Sequence, residues 1–371
     1  MGLHVVWEVL DDSVYDKAEL LLPLDESFQK CSGWSRQCIG EKRNRQMLSP
    51  GELELGFSFS GYDQTPRQRV MMFHSMGGSY PRGTFFCDDG FFHADADLVF
   101  SVVRCSGWRS IDEDVPFSEF AWASPAQVRL LGALLFCQTF DGAWLRLYPV
   151  VGPELVLRAN ELDLSDPSTV LLIKERLLLS VKTKRLQSRI AHVPISMLGE
   201  PYHLLDRDIE MDRFELSYKR IDPANFVLMR GIQTLVKSDM LGRHQEFGEE
   251  SVIAAFISLD ASFSLVQRKL KSEGVANPSA HDAARWLHRN FYEPFDREPP
   301  GELEKYFEEF YESRISTLHP GSRFGDSPFS PTMWDDAVHL RSQLRQVFSF
   351  LVHGAHFKDF EDAVDDYHAQ R

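Results

Sequence analysis

The sequence predicts an α+β protein in which a β-rich N-terminal domain is followed by a C-terminal antiparallel helical bundle. Up to about residue 120, short runs such as 53–59 alternate apolar and polar residues between Gly, Pro and Asp turns. From Ala224 onward, apolar residues instead recur every three or four positions, as they do in amphipathic helices. The length of 371 residues also exceeds one ordinary domain. We therefore expect two domains, residues 1–222 and 223–371.

The composition is that of a globular protein, with 43% apolar and 26% charged residues. No segment approaches the ~20 consecutive apolar residues that a spanning helix needs. The N-terminus also lacks a basic region followed by a long apolar block, so we expect a cytoplasmic protein without a membrane partner. The net charge of −15 argues against bulk attraction to nucleic acid, so that any contact with RNA has to be local.

The cysteines and histidines give little indication of a metal or cofactor, and none is expected. The five cysteines form no Cys-x-x-Cys pair, which favours free thiols in a reducing compartment. His353, His356 and Asp359 lie close enough in sequence for a helical turn to gather them around a metal, but a polar helix end is the favoured interpretation. Met76 to Ser79 lacks the Gly-Lys-Ser/Thr of a phosphate loop and predicts a turn.

The N-terminal part is predicted to contain helices as well as strands. Ser124 and Pro125 predict a helix that ends at Cys137, with serine as N-cap and proline in the first turn. Residues 139–160 return to a strand-like alternation, and 170–179 are compatible with either a helix or a strand. The polar, proline-containing stretch 194–223 predicts irregular structure.

The C-terminal part predicts successive helices joined by modest loops, which is typical of an antiparallel bundle. The clearest pattern places Val252, Phe256, Leu259 and Phe263 on one stripe. The predicted helices span Ala224–Asp239, Glu249–Lys271, Ser279–Tyr292, Glu302–Pro320 and a last segment that begins at Ser330-Pro331 and reaches His353.

Two residues of the fourth predicted helix have side chains suited to chemistry. Phe307 and Phe310 follow the apolar stripe, and the next position on that stripe is occupied by Arg314. His319 comes five residues later and precedes Pro320, which disfavours further helix at the histidine. A guanidinium on an apolar face and an imidazole at the helix end are therefore the first candidates for a site.

This Arg-x4-His spacing at the end of a bundle helix resembles the signature of the HEPN superfamily. The resemblance covers roughly residues 225–365, and it includes an acidic residue, Asp260, on the first strong helix, where many members carry a carboxylate that faces the motif arginine. The position after the arginine is commonly polar in active members, whereas this chain has Ile315. The resemblance implies a metal-independent endoribonuclease whose cleft forms between two bundles, and hence a homodimer.

The residue types agree with RNA cleavage. Histidine, with an unperturbed pKa of ~6.5, acts as a base or an acid near neutrality. Arginine is permanently charged and forked, which suits phosphoryl oxygens. Positions five apart lie about 140° apart around a helix, so Arg314 and His319 share a cleft only through side-chain reach or a second protomer.

Two hypotheses for function follow from these residues. The leading one is an RNA-cleaving effector of the toxin or phage-defence type, with Arg314, His319 and Asp260 as catalytic residues. The N-terminal domain would then sense an unidentified ligand or protein. The alternative is a non-catalytic dimerisation or binding module, in which Arg314 pairs with Asp260 to fix the register of the helices.

Overall fold

The computed structural model contains both strands and helices, and it confirms the α+β class. It describes residues 54–58, 67–105, 122–138, 145–150, 154–158, 162–182, 201–205, 210–295, 306–318 and 334–370. The strands are β1 Glu54–Ser58, β2 Arg67–Met72, β3 Tyr80–Pro81, β4 Gly83–Cys87, β5 Gly90–Ala94, β6 Val99–Cys105, β7 Glu154–Arg158 and β8 Leu204–Leu205. The helices are α1 Pro125–Phe136, α2 Pro167–Lys182, α3 Met211–Arg220, α4 Phe226–Leu241, α5 Gly248–Ser272, α6 Ala280–Phe291, α7 Tyr306–Leu318, α8 Trp334–His353 and α9 Lys358–Ala369.

Six of the described strands form one antiparallel sheet in the order β1-β7-β2-β6-β5-β4. Strands β4, β5 and β6 follow one another as hairpins, and β6 pairs with β2. Strand β7 comes from later in the chain and lies between β1 and β2. The short strands β3 and β8 form a separate parallel pair. The sheet therefore combines local pairings with two pairings of β7, to β1 and to β2, that are distant in sequence.

Helices cover both faces of the sheet, because successive side chains of a strand point to opposite sides. On one face, Val70 and Met72 pack against α2. The segment 170–179, which the sequence left open between helix and strand, is helical, and its Ile173 and Leu177 are completely buried against the sheet. On the other face, Met71 belongs to the larger apolar cluster that continues into the helical region.

Helix α1 links the sheet to the helical region and begins where its sequence predicts. Ser124 accepts a hydrogen bond from the backbone N–H of Gln127, and the Gln127 side chain accepts one from the backbone N–H of Ser124. This capping box satisfies two donors that a helix start otherwise leaves free. Leu130, Leu131 and Leu134 are completely buried between the two layers.

The C-terminal part of the chain is helical, and α4 to α8 overlap the five predicted helices. The predicted start of the last one, Ser330-Pro331, lies outside the described residues. The prediction of irregular structure over 194–223 is wrong for its last part, because α3 occupies Met211–Arg220 and buries Phe214 and Tyr218. Helix α9 was also not expected after His353. Among the described residues, no helix is both long and apolar enough to span a membrane.

One apolar cluster contains residues from both sides of the predicted domain boundary. It includes Phe92 of the sheet, Leu131 of α1, and Phe256 and Leu344 of the helical region, all completely buried. The sheet and the helices thus share one core in the described part of the chain. The division at 222/223 stays a prediction about the chain's organisation.

A charged network connects α2 to the turn between β5 and β6. Lys174 Nζ lies 2.5 Å from Asp95 Oδ2 and 2.6 Å from Asp97 Oδ2. His93 Nε2 lies 3.0 Å from Asp95 Oδ2, and the other ring nitrogen lies 2.7 Å from Thr84 Oγ1. Burial by itself raises the pKa of Asp95, but hydrogen bonds from Lys174, His93 and two backbone N–H groups outweigh it and lower the pKa to about 2.

We expect Asp95→Asn to cost stability at neutral pH and progressively less in acid. The folded pKa lies below the unfolded value of about 3.9, so the stabilisation is complete above about pH 5 and is lost as the pH falls towards 2. After allowance for solvent screening, the expected loss at neutral pH is about 1 kcal/mol. Urea unfolding over this pH range measures it, with Asp365→Asn on the exposed side of α9 as control. A difference that stays constant down to low pH would contradict the assignment.

Candidate functional site

The structure brings together two of the three residues predicted for the site. Arg314 lies in the second half of α7, and Asp260 lies near the middle of α5. Arg314 Nη1 donates a hydrogen bond of 2.6 Å to Asp260 Oδ1. The Arg314 side chain keeps 18% of its surface exposed and that of Asp260 keeps 53%. The pair is therefore at the surface of the helical region rather than in the core.

A second contact between α5 and α7 orients the guanidinium. Tyr311 precedes Arg314 by three positions, so the two side chains lie on the same face of α7. The guanidinium carbon lies 4.6 Å from the centre of the Tyr311 ring. The Tyr311 ring in turn stacks on Phe263 of α5, with ring centres 4.9 Å apart. The ion pair and the stacked rings together fix where the arginine side chain lies.

The remaining donors of Arg314 have no acceptor in the described part of the chain. Asp260 occupies only Nη1. Nε is shielded from solvent and has no hydrogen-bond partner among the described residues. Nε and Nη2 form the edge of a guanidinium that binds a carboxylate or phosphate through two parallel hydrogen bonds. At this two-donor edge Nε is shielded from solvent, so an external anion would reach the guanidinium through Nη2.

In Arg341, the corresponding edge formed by Nε and Nη2 is bound by a carboxylate of the same chain. Its Nε and Nη2 bond to the two carboxylate oxygens of Asp239, and Nη2 also donates to the Leu145 carbonyl at 2.6 Å. Both side chains are buried, with 7% and 4% exposure. The sequence analysis missed this pair. Its only signal is that Arg341 and Arg345 directly follow the inward-facing Leu340 and Leu344.

His319 lies outside the described residues. Helix α7 ends at Leu318, so the histidine is the next residue of the chain. The prediction that it joins Arg314 in a shared cleft therefore stays a prediction.

The histidines considered for a metal have other hydrogen-bond partners. His353 Nε2 lies 3.0 Å from Ser217 Oγ, and His356 Nε2 lies 2.9 Å from the Asn290 carbonyl oxygen. Asp359 Oδ1 lies 3.0 Å from an Arg213 nitrogen. Burial, followed by the nearby arginines, lowers the pKa of His353 to about 4. Within the part of the chain that is described, no group of three His, Cys, Asp or Glu residues is placed to hold a metal ion.

The three cysteines within the described ranges are buried free thiols: Cys87, Cys105 and Cys137. Burial raises the pKa of the Cys87 and Cys137 thiols to about 12. A thiol needs its thiolate form to act as a nucleophile, so these two cysteines are inert at neutral pH.

Comparison with protein-family models gives no match, and comparisons with curated proteins and with solved structures give none either.

Proposed function

We propose that the protein is a metal-independent endoribonuclease that acts through Arg314, His319 and Asp260. One observation carries the proposal: the two-donor edge of Arg314 has no acceptor among the described residues, although the same edge of Arg341 is filled by a carboxylate. A partly exposed arginine that is held in place, with donors that have no acceptor among the described residues, is suited to phosphoryl oxygens. Its position on α7, five residues before a histidine, supplies the second group that the reaction requires.

The proposed reaction is an attack of the ribose 2′-oxygen on the adjacent phosphorus. The bond from phosphorus to the 5′-oxygen breaks, and the products are a 2′,3′-cyclic phosphate and a 5′-hydroxyl. His319 serves the proton transfers, as a base towards the 2′-hydroxyl or as an acid towards the leaving 5′-oxygen. Arg314 stabilises the charge that develops on the phosphoryl oxygens. Asp260 holds the guanidinium through Nη1, and Nε and Nη2 have no acceptor among the described residues.

The HEPN-like assignment of the helical region belongs to this proposal, as does a homodimer whose cleft lies between two copies. The net charge of −15 limits bulk attraction of RNA, so substrate binding depends on a local cluster of cations in the cleft. The N-terminal part would control the activity by sensing a ligand or a protein partner. An effector of the toxin or phage-defence type fits this division of roles.

A second candidate function is supported by the ion pair itself. At 2.6 Å, the hydrogen bond between Arg314 and Asp260 is short and charge-assisted, as expected of a pair that fixes how α5 and α7 pack. In that case the helical region is a non-catalytic dimerisation or binding module. The two candidates differ in what the loss of His319 does, because the ion pair does not involve this residue.

We expect His319→Ala to reduce cleavage of labelled RNA about 100-fold or more, since a general acid or base contributes that much. Arg314→Ala is expected to reduce it by a similar factor. The assay contains EDTA, and the products are examined for a 2′,3′-cyclic phosphate end. An RNA with 2′-O-methyl groups throughout is expected to resist cleavage, because the nucleophile is blocked.

Arg268→Ala is the matched control, because Arg268 is an exposed arginine on α5. It is expected to cleave RNA at the wild-type rate. Circular dichroism and thermal unfolding show whether each variant is folded. Equal cleavage by wild type and His319→Ala, or no cleavage by either, would favour the non-catalytic module.

A further inference from the structure

Five side chains lie together where the end of β2 and residues 145–150 meet the segment between α4 and α5. We call them the Tyr148 cluster: His74, Tyr148, Arg243, His244 and Phe247. The Tyr148 hydroxyl lies 2.9 Å from His244 Nε2, and the centres of the His74 and Tyr148 rings are 4.3 Å apart. The Phe247 ring lies 5.9 Å from the His244 ring, and Phe247 is 43% exposed. The cluster thus combines residues from both of the predicted domains.

A glycine turn places Arg243 beside the same phenol ring. Gly77 has a φ of 88°, a backbone conformation that glycine adopts readily. A Cβ at this position would lie 2.9 Å from the Tyr148 ring and 3.1 Å from Arg243 Cγ. The charge of Arg243 also acts on the Tyr148 hydroxyl, where it opposes the rise in pKa that burial causes. Arg243 and both histidines therefore have Tyr148 as a common neighbour.

The guanidinium of Arg243 is available to a ligand. Its three nitrogens have no acceptor within the described residues, and none of them is shielded from solvent. Asp239 lies close enough to act on Arg243 through its charge, but both of its carboxylate oxygens bind Arg341. Arg314 differs, because its Nε is shielded. Arg243 can therefore present two parallel donors to an external anion.

Each histidine of the cluster has a ring nitrogen that faces solvent. His244 uses Nε2 for Tyr148, whereas its Nδ1 has no hydrogen-bond partner among the described residues and is not shielded. In His74 the Nδ1 atom is shielded, and Nε2 is the one that is unpartnered and open to solvent. Imidazole nitrogens and a guanidinium are groups that commonly bind phosphate oxygens.

The charges in the cluster favour an anion. Burial, followed by the charge of Arg146, lowers the pKa of Arg243 from its usual value. Burial, followed by the charge of His244, lowers the pKa of His74 to about 4. In both residues the second cause is a like charge nearby. A bound anion would offset this repulsion, which makes the cluster a local exception in a chain with a net charge of −15.

We propose that the Tyr148 cluster binds the phosphate group of a small ligand. The Arg243 guanidinium and His244 Nδ1 bind the phosphate oxygens, and the exposed Phe247 ring packs against an aromatic body such as a nucleobase. A nucleoside monophosphate combines these two parts. The Tyr148 hydroxyl positions the His244 ring through its hydrogen bond. The inference is independent of the proposed ribonuclease activity.

Isothermal titration calorimetry of the full chain with three probes tests the inference. The probes are adenosine monophosphate, adenosine and inorganic phosphate, at an ionic strength held constant with sodium chloride. Adenosine monophosphate is expected to bind about 10-fold more tightly than phosphate, because its base packs on Phe247. Adenosine is expected not to bind, since it lacks the phosphate. Equal affinities for adenosine monophosphate and phosphate would support the phosphate site and exclude the contact with the base.

Arg243→Met removes the guanidinium and is expected to weaken the binding of adenosine monophosphate about 10-fold or more. Its Tm is expected not to fall, because Arg243 has no acceptor to lose among the described residues and lies near other positive charges. A merely structural arginine would lower the Tm when it is removed. Phe247→Ala changes an exposed position, so it preserves the fold if Arg243→Met does not, and it is expected to abolish the preference over phosphate.

Arg230→Met is the matched control, because Arg230 is an exposed arginine on α4. It is expected to bind adenosine monophosphate with the wild-type affinity. The inference would be overturned by the absence of binding of both phosphate-containing probes at millimolar concentration. Adenosine that binds as tightly as its monophosphate, or an affinity that is unchanged in Arg243→Met, would overturn it as well.

Discussion

Arg341→Ala is expected to lower the free energy of unfolding by about 3–5 kcal/mol, because it leaves the carboxylate of Asp239 buried without its charged partner. The Leu145 carbonyl also loses the hydrogen bond that ties it to α8. The pair joins three segments that are far apart in sequence, so its loss affects the packing of the sheet side against the helices. Urea unfolding at neutral pH measures the change.

Arg314→Ala is the control for this prediction, because it breaks an ion pair at the surface instead of a buried one. The Asp260 side chain is 53% exposed and regains water when its partner is removed. A loss of about 1 kcal/mol or less is therefore expected. Replacing both members of the buried pair, as Arg341→Met with Asp239→Leu, is expected to restore most of the stability. Equal losses for Arg341→Ala and Arg314→Ala would show that burial does not separate the two pairs.

Gly90→Ala is expected to cost about 3 kcal/mol or more, which places it among the severe effects of overpacking. A Cβ at position 90 would lie 1.9 Å from the backbone oxygen of Val102. The obstacle is the backbone of β6, which pairs with β5 at this point and cannot move aside as a side chain can. The methyl group therefore forces the two strands apart.

Gly248→Ala is the matched control for this substitution. Gly248 begins α5 with helical backbone angles, and a Cβ there would meet no atom within 4 Å. Alanine is expected to leave the stability unchanged or to raise it by up to about 1 kcal/mol. Thermal or urea unfolding of both variants measures the difference. A Gly90→Ala variant as stable as Gly248→Ala would contradict the close approach of β5 and β6.

Local signals predicted much of the secondary structure. Ser124-Pro125 predicted the start of α1 because capping is a contact between residues three apart. The stripe through Val252, Phe256 and Phe263 predicted α5 because these residues face a core. Helix α3 was missed because its ten residues bury only Phe214, Ser217 and Tyr218, and its neighbouring prolines suggested a loop. The sequence also did not distinguish helix from strand for α2. Its apolar run is nearly continuous, so it shows neither the 3.6-residue repeat of a helix nor the two-residue alternation of a strand.

The candidate site was predictable only in part. The pairing of Arg314 with Asp260 could be predicted, because a charge on an apolar face needs a partner on the facing helix. The stacking of Tyr311 on Phe263 was not foreseen, because the sequence does not show which ring of α5 faces which ring of α7. The space that Gln138 and Arg345 line depends on the packing of the end of α1 against α8, which begins about 200 residues later. No local pattern records which side chains such distant segments bring together.

The position of β7 has a consequence for how the chain acquires its structure. The strand inserts between β1 and β2, so β1 has no neighbour in the sheet until residues 154–158 arrive. Strand β3 likewise has its pairing partner, β8, only once Leu204–Leu205 has been synthesised. On the ribosome, β2, β4, β5 and β6 can pair early, whereas the edge strand joins after a delay of about 100 residues of synthesis. Closure of such long loops slows folding, so we expect the complete six-stranded sheet to form late in folding.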